Sequence, residues 1–223
     1  MNVYIVDIEA VDTRYTKQWK EYLPDQLQHE LVHDTAVLGE VVVISGGDVP
    51  QSTTPGAFLN FGGTNVYKSK QLMQIAELFC NGKIHDGDYF LYTDAWNPTV
   101  IQLRYMAELL GININIGGMW HAGSYDPQDF LGRLIGNKPW VRNAERSMYA
   151  CYDHNFFATD FHIDLFEETY RYEEEDYPPV EDYPPVRVGW PMEYLQNSLD
   201  AYKGMNKRDL ILFPHRIAPE TVS

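Results

Sequence analysis

The sequence predicts an α/β protein with a Rossmann-like parallel sheet and helices on both faces. Short apolar segments typical of buried strands alternate along the chain with longer segments in which apolar residues recur at helical spacing. Polar or glycine-rich residues follow the strand-like segments, as Asp7 does after the first of them. Strands that alternate with helices form a parallel sheet through crossover connections, and such a sheet binds its ligands at the carboxyl ends of its strands.

The predicted strands are short runs of β-branched, aromatic or aliphatic residues bounded by polar or turn-forming residues. A strand is not stable alone, so the last of them must pair with the domain before it or with another partner. In chain order they are Val3–Val6, Glu40–Ile44, Ala57–Phe61, Asp88–Thr93, Ile112–Gly117, Phe156–Ala158, Val186–Gly189 and Leu210–Phe213.

The predicted helices have apolar residues on one face and capping residues at their ends. Asn97 and Pro98 begin one of them, and Gly111 ends it. Thr159 or Asp160 caps another. The predicted helices span Thr13–Leu31, Val66–Phe79, Asn97–Leu110, Pro127–Ile135, Pro139–Tyr152, Phe161–Tyr170 and Met192–Tyr202.

Composition argues against several classes of protein. No apolar run approaches the ~20 residues of a membrane span, and the N-terminal MNVYIVDIEA is typical of a strand rather than a signal peptide. The cysteines, Cys80 and Cys151, lack the spacing of a metal site, so we expect buried thiols in a reducing cytoplasm. The sequence contains no HExxH, paired CxxC or GxSxG motif, so it predicts neither a metal site nor a serine hydrolase.

The chain is strongly acidic. Its formal net charge is −15, which disfavours unaided binding to a polyanion such as nucleic acid. Four of its 32 acidic residues lie where Glu175–Val180 is repeated almost at once as Glu181–Val186. The Pro-Pro step in each copy favours extended backbone. We expect a solvated surface loop there, with a partner-binding loop as the alternative.

Two residues that follow predicted strands are candidate catalytic residues. Asp94 can act as a general base toward an acceptor hydroxyl or orient a sugar, with bracing of its own loop as the alternative. His121 lies in the segment Gly117–Gly123, whose glycines let the backbone approach a ligand closely. A structural histidine is the alternative there. Trp120, beside His121, is a candidate substrate-binding residue.

Further candidates lie near the ends of other elements. Arg14 follows the first strand and His162 lies near a helix N-terminus, so both can line the same crevice, although a charged surface is the default for Arg14. A glycine-rich loop is predicted just before a helix, where its backbone N–H groups suit an anion or sugar hydroxyls, although a structural turn explains it equally well. It is neither a P-loop nor a dinucleotide-binding fingerprint. Its residues are Gly62, Gly63, Thr64 and Asn65.

Three segments, Phe157–His162, Val188–Pro191 and Ile211–Glu220, carry a family resemblance. They resemble the N-terminal, acceptor-side half of a GT-B glycosyltransferase, the class built from two Rossmann domains. Three further stretches are similar to glycosyltransferase-like proteins of large tailed phages, some of which are tied to sugar modification of DNA bases. These stretches are Gly56–Asn65, Tyr92–Pro98 and Gly118–Gln128.

The resemblance implies an acceptor-side Rossmann-like domain at residues 1–190, followed at 191–223 by a linker helix and the start of a donor domain that stops early. It implies that the acceptor binds the first domain and that a nucleotide sugar, the co-substrate, binds mostly the donor domain, without a further cofactor. His121 is the best match to a family histidine that contacts the donor sugar or the acceptor. His215 and Arg216 would face the nucleotide diphosphate, while Thr221 stands where the family has lysine.

The expected function is therefore a glycosyltransferase, or a subunit of one, in the cytoplasm, which is the host cytoplasm if a phage encodes the chain. The expected partner is a donor-domain subunit or a second copy in a homodimer, and a modified base in phage DNA is a candidate acceptor. The alternative is a non-catalytic Rossmann-like interaction or inhibitor protein. A DNA acceptor would need a basic patch, and four residues can form one unless they are a solvated helix face: Arg133, Lys138, Arg142 and Arg146.

Overall fold

A computed structural model describes residues 1–9, 16–34, 39–48, 52–55, 57, 59–170, 184–190 and 199–206. These residues form a parallel sheet flanked by helices, which confirms the predicted fold class. The strands are β1 (Val3–Val6), β2 (Val41–Ile44), β3 (Tyr89–Tyr92), β4 (Asn115–Trp120), β5 (His154–Phe157) and β6 (Val186–Arg187). The helices are α1 (Thr16–Glu21), α2 (Leu23–Asp34), α3 (Phe61–Cys80), α4 (Thr99–Leu110), α5 (Phe130–Ile135), α6 (Pro139–Cys151) and α7 (Asp160–Tyr170).

The described sheet has six strands in the order β2-β1-β3-β4-β5-β6, and every neighbouring pair is parallel. The chain builds β2 on one side of β1 and then crosses to β3 on the other side, so the strand order reverses at β1. Val6, at the end of β1, is paired with Ile44 on one side and Tyr92 on the other. The carboxyl ends of these three strands therefore meet where a doubly wound sheet has its ligand crevice.

Helices cover both faces of the sheet, as right-handed crossovers require. On one face, residues such as Val6, Phe90 and Trp120 form the main core with side chains of α3, α4, α6 and α7. On the other face, Trp19 of α1 packs against Met119 of β4. Successive residues of a strand point to opposite faces, so Met119 and Trp120 lie in different layers.

The position of β4 differs from the prediction. The sequence predicts a strand at Ile112–Gly117 and a glycine-rich loop after it. In the structure, β4 spans Asn115–Trp120 and contains both Gly117 and Gly118. A Cβ atom at Gly117 would lie 2.3 Å from the hydroxyl oxygen of Tyr89, and one at Gly118 would lie 2.6 Å from a ring carbon of Tyr152. These glycines therefore make room for tyrosine rings within the protein.

The beginning of α3 also differs from the prediction. A strand was predicted at Ala57–Phe61 and a loop at Gly62–Asn65, but Phe61 is the first residue of α3. The cap is Asn60, whose side-chain oxygen accepts a hydrogen bond of 2.7 Å from the backbone N–H of Gly63. Residues 62–65 are thus the first turn of the helix, and the predicted ligand-binding loop is wrong as a loop.

The first predicted helix, Thr13–Leu31, is interrupted among its described residues. Helix α1 ends at Glu21 and α2 begins at Leu23. Pro24 explains the break, because proline has no backbone N–H and is tolerated in the first turn of a helix but not in its interior. The other described elements appear where they were predicted, with ends shifted by a few residues.

Several predictions concern residues outside the described part of the chain. The strand Leu210–Phe213 lies outside it, as do residues 171–183 with most of the acidic repeat. The predicted second domain is described only at residues 199–206. Among the described residues, no helix combines the length and the apolar character needed to cross a bilayer. Cys80 is exposed and Cys151 is partly buried, so the expectation of two buried thiols is wrong for Cys80.

Candidate active site at the carboxyl edge of the sheet

Asp7 is the centre of a polar cluster at the point where the strand order reverses. It follows β1 directly and is only 3% exposed. Its Oδ1 accepts hydrogen bonds from the hydroxyl of Tyr67 and from Nε2 of Gln71, the latter at 2.9 Å. Its Oδ2 lies 3.3 Å from Nζ of Lys20. Burial raises the pKa of the Asp7 carboxyl, while the Tyr67 hydroxyl and the Lys20 ammonium act in the opposite direction.

Helix α3 supplies two members of this cluster from its buried face. Tyr67, Gln71, Ile75 and Phe79 recur every four residues, with the polar pair at the carboxyl edge and the apolar pair in the core. The Tyr67 ring lies against the backbone after β2, where a Cβ atom at Gly46 would be 2.3 Å from the ring. Burial and the nearby Asp7 carboxylate raise the pKa of the Tyr67 hydroxyl, so it keeps its proton and donates to Asp7.

The cluster neutralises its own charges. Nζ of Lys20 donates to Oγ of Ser45 at 3.2 Å as well as pairing with Asp7. A second pair lies beside it, because Nζ of Lys68 is 3.0 Å from Oδ2 of Asp94. Lys20 and Lys68 thus each have a carboxylate partner among the described residues, and these two pairs add no net charge to the crevice.

Asp94 follows β3, as predicted, and both of its oxygens are engaged locally. Oδ2 pairs with Lys68, which also donates to the backbone carbonyl of Trp96 at 2.6 Å. Oδ1 accepts a hydrogen bond from the backbone N–H of Trp96 at 3.2 Å. This geometry favours the bracing of the loop after β3 over a role for Asp94 as a general base.

His121 is the first residue after β4, and its imidazole has a defined orientation. Its Nε2 lies 2.5 Å from the carbonyl oxygen of Thr93, the residue between the end of β3 and Asp94. A carbonyl oxygen only accepts hydrogen bonds, so Nε2 carries the hydrogen and Nδ1 carries the lone pair. An imidazole held in this way is suited to take a proton at Nδ1.

Two tryptophans contact the His121 ring from different sides. Trp190 lies nearly parallel to it, with ring centroids 5.3 Å apart and planes inclined by 21°. Trp19 of α1 meets it edge to face at 5.5 Å. Trp190 reaches this position after β6 through Gly189, whose φ of 74° is a left-handed conformation that favours glycine.

A second histidine lies within electrostatic range of the first. Nε2 of His162 is 2.6 Å from the hydroxyl oxygen of Tyr125. Burial lowers the pKa of His162 to about 4, an effect that Asp126 opposes and His121 reinforces. His162 is therefore neutral at pH 7 and is suited to hydrogen bonding rather than to carrying charge.

Glu145 of α6 holds the strand-end loops together. The side chain is fully buried, and its Oε1 accepts hydrogen bonds from Nε1 of Trp96 at 2.7 Å and from the backbone N–H of Ser124 at 2.6 Å. Its Oε2 accepts from the hydroxyls of Ser124 and Tyr170. A buried carboxylate with this many donors is satisfied, and it fixes the loops after β3 and β4 relative to each other.

The fold places the remaining predicted site residues in different parts of the molecule. Trp120 is 0% exposed and donates its Nε1–H to Asn155 within the core, so it lies behind the site and not on its surface. Residues 62–65 are in the first turn of α3. They precede Lys68 of the same helix, which pairs with Asp94 at the carboxyl edge of the sheet. Arg14, His215 and Arg216 lie outside the described residues.

Sequence reasoning missed Lys20, Tyr67, Gln71 and Trp190. The four-residue spacing of polar Tyr67 and Gln71 with apolar Ile75 is a signal for the first pair, since it places polar groups on a buried helix face. Trp190 and Lys20 reach the site only through tertiary structure. The described residues contain no group of three or more histidine, cysteine or acidic side chains arranged to hold a metal ion.

Comparison of the chain with protein-family models and with curated proteins finds no match.

Proposed function

We propose that this chain provides the acceptor side of a sugar-nucleotide-dependent glycosyltransferase. The observation that carries the proposal is the orientation of His121 at the carboxyl end of β4, with Nε2 donating to the Thr93 carbonyl. That contact assigns a basic lone pair to Nδ1 at the edge of the sheet where a doubly wound fold binds its ligands. The resemblance to the acceptor half of GT-B enzymes gives the reaction class.

The proposed step requires one proton acceptor from this chain. Nδ1 of His121 takes the hydroxyl proton of the acceptor while the acceptor oxygen forms a bond to the anomeric carbon of the donor sugar. The bond from that carbon to the diphosphate breaks, and its electron pair leaves with the nucleoside diphosphate. General base catalysis of this kind typically contributes 10²–10⁴-fold to the rate.

The charges at this edge support an acceptor site more than a diphosphate site. A departing diphosphate needs cations close to it, but Lys20 and Lys68 are already paired with Asp7 and Asp94. We therefore assign donor binding to a separate donor-binding domain, and His215 and Arg216 remain candidate contacts to the diphosphate. Stabilisation of the leaving group would then come mainly from that domain.

Release of nucleoside diphosphate tests the proposal. The full chain is assayed with UDP-, GDP- and dTDP-sugars, alone and after co-expression with the products of the reading frames that adjoin its gene. We expect acceptor-dependent release in a co-expressed preparation and a loss of about 10²–10⁴-fold in His121→Ala. His29→Ala is the matched control, because His29 lies on α2 with an exposed side chain.

Two results would overturn the proposal. One is release that is equal in the wild-type and His121→Ala proteins. The other is stable association with an adjoining gene product without sugar-dependent release, which would instead support a non-catalytic interaction protein.

A further inference from the structure

The ring cluster at His121 has the composition of a carbohydrate subsite. Trp190, at 37% exposed, presents aromatic surface at the carboxyl edge while it stacks with His121. Trp19 lies edge to face with both rings, at 5.5 Å from His121 and 6.3 Å from Trp190. Trp19 and His121 therefore pack against Trp190 and hold its exposed ring in place.

Helix α1 has three buried polar atoms without a hydrogen-bond partner among the described residues, namely Oγ1 of Thr16, Oε1 of Gln18 and Nε1 of Trp19. Trp19 is 7% exposed, and its Nε1 has no hydrogen-bond acceptor among the described residues. Thr16, three residues earlier in the same helix, is also buried, and its Oγ1 likewise has no partner in the described part of the chain. Residues three apart lie on the same side of a helix. An unsatisfied buried polar group is costly, which indicates that a ligand or water supplies the missing hydrogen bonds.

A hydroxyl group meets both needs, because it accepts from an indole N–H and either donates to or accepts from a threonine hydroxyl. The ion pairs Lys20–Asp7 and Lys68–Asp94 leave no net charge from these side chains beside the rings. An uncharged ligand therefore fits this edge of a chain whose net charge is −15. A polyanion would be repelled at long range.

From these observations we infer that the acceptor is a neutral saccharide, whose pyranose ring stacks on Trp190 and whose hydroxyls hydrogen-bond to Trp19 and Thr16. The inference rests on the proposed function for the role of this ligand as acceptor. It assigns the substrate class from the residues at the site, and it makes duplex or single-stranded DNA the competing outcome.

Binding without any donor tests this inference separately from catalysis. The full chain is titrated with methyl β-D-glucopyranoside, methyl α-D-mannopyranoside and a 12-nucleotide single-stranded DNA, and binding is followed by saturation-transfer NMR and tryptophan fluorescence. We expect one of the glycosides to bind and Trp190→Ala to weaken it by about fivefold or more, since a ring contact of this kind is lost. Trp190→Phe should restore most of the affinity.

Trp140→Ala is the matched control, because Trp140 is 57% exposed on α6 and takes no part in the ring cluster. It should leave glycoside binding unchanged. A Trp19→Phe variant, which keeps a ring but removes the N–H, should weaken binding by a smaller factor than Trp190→Ala.

The inference is overturned if neither glycoside binds, if Trp190→Ala binds as well as the wild type, or if the DNA binds more tightly than the glycosides. None of these results depends on sugar transfer. If the glycosides fail but transfer to another acceptor occurs and requires His121, the proposed function stands and only the substrate class is wrong.

Discussion

The imidazole Nε2 of His121 and the carbonyl oxygen of Thr93 are 2.5 Å apart, which joins the end of β4 to the end of β3. The same two loops are joined again underneath by Glu145, which accepts hydrogen bonds from Trp96 and Ser124. The backbone carbonyl of Thr93 therefore fixes one nitrogen of the His121 ring, and Trp19 and Trp190 contact the ring as well. An imidazole held in this way is preorganised, as the proposed proton transfer requires.

Substitution of Gly118 tests the placement of β4. A Cβ atom there would lie 2.6 Å from the Tyr152 ring, which is fully buried and has nowhere to move. We expect Gly118→Ala to lower the free energy of unfolding by about 1–3 kcal/mol, because the overpacking exceeds the ~0.5–1 kcal/mol that alanine gains over glycine in backbone entropy. Urea denaturation measures the change.

Gly62→Ala is the control for that experiment. A Cβ atom at Gly62 would lie 3.5 Å from Oδ1 of Asn60, which is an ordinary contact, and residue 62 is in the first turn of α3. The variant should be neutral or more stable by up to about 1 kcal/mol. Equal effects of the two substitutions would contradict the assignment of Gly118 to a packed strand.

Removal of the Tyr67 hydroxyl tests the cluster at the strand-order reversal. Tyr67→Phe deletes a donor to the buried Asp7 carboxylate, so we expect a loss of about 1–3 kcal/mol in unfolding free energy at pH 7. The hydroxyl opposes the effect of burial on the pKa of Asp7, and without it that pKa rises further. A raised carboxyl pKa in the folded state costs stability as pH rises, so the difference from wild type should shrink as pH falls through the folded-state pKa of Asp7, which lies above the ordinary value of about 3.9.

Tyr22→Phe, at an exposed tyrosine between α1 and α2, is the matched control and should change stability by less than about 0.5 kcal/mol at either pH. A Tyr67→Phe difference that is the same at pH 7 and at acidic pH would show that the hydroxyl does not interact with an ionised Asp7.

The sequence predicted the site only in part, for reasons that particular residues make clear. Asp7, Asp94 and His121 were found at strand ends because a polar residue after an apolar run is a local signal. The strand was predicted to end at Gly117, and Gly118 to begin a loop, because glycine weakens strands in general. The reason that they lie in β4 is the pair of rings at Tyr89 and Tyr152, which are distant in sequence.

The same limit applies to the rest of the crevice. Lys20 and Tyr67 approach Asp7 from helices on opposite faces of the sheet, and Trp190 approaches His121 from beyond β6. Trp120 was predicted to bind substrate because it adjoins His121, but alternation along β4 directs it into the core. Register and crossover geometry decide such positions, and neither is visible in local sequence.

The pH dependence of stability tests the environment of His162. Burial lowers its pKa in the folded state to about 4, below the ordinary value of about 6.5. The unfolded chain therefore binds the proton first as pH falls, and stability is lost between about pH 6.5 and pH 4. We expect His162→Gln to lose less stability than wild type over this window, with a difference on the order of 2 kcal/mol.

Chemical denaturation at pH 7 and pH 4.5 measures this difference, and His29→Gln, at an exposed histidine on α2, should follow the wild-type curve. Parallel pH profiles for wild type and His162→Gln would show that His162 is not buried beside Tyr125 in the neutral form.

Nitrogen-15 NMR of the His121 ring tests its role as a proton acceptor most directly. Histidine-labelled protein is measured at about pH 8.5, where an ordinary imidazole is neutral, and the signals are assigned by their absence in His121→Ala. We predict the tautomer with hydrogen on Nε2 and the lone pair on Nδ1, because Nε2 donates to the Thr93 carbonyl. Hydrogen on Nδ1 would contradict this orientation and, with it, the assignment of His121 as the general base.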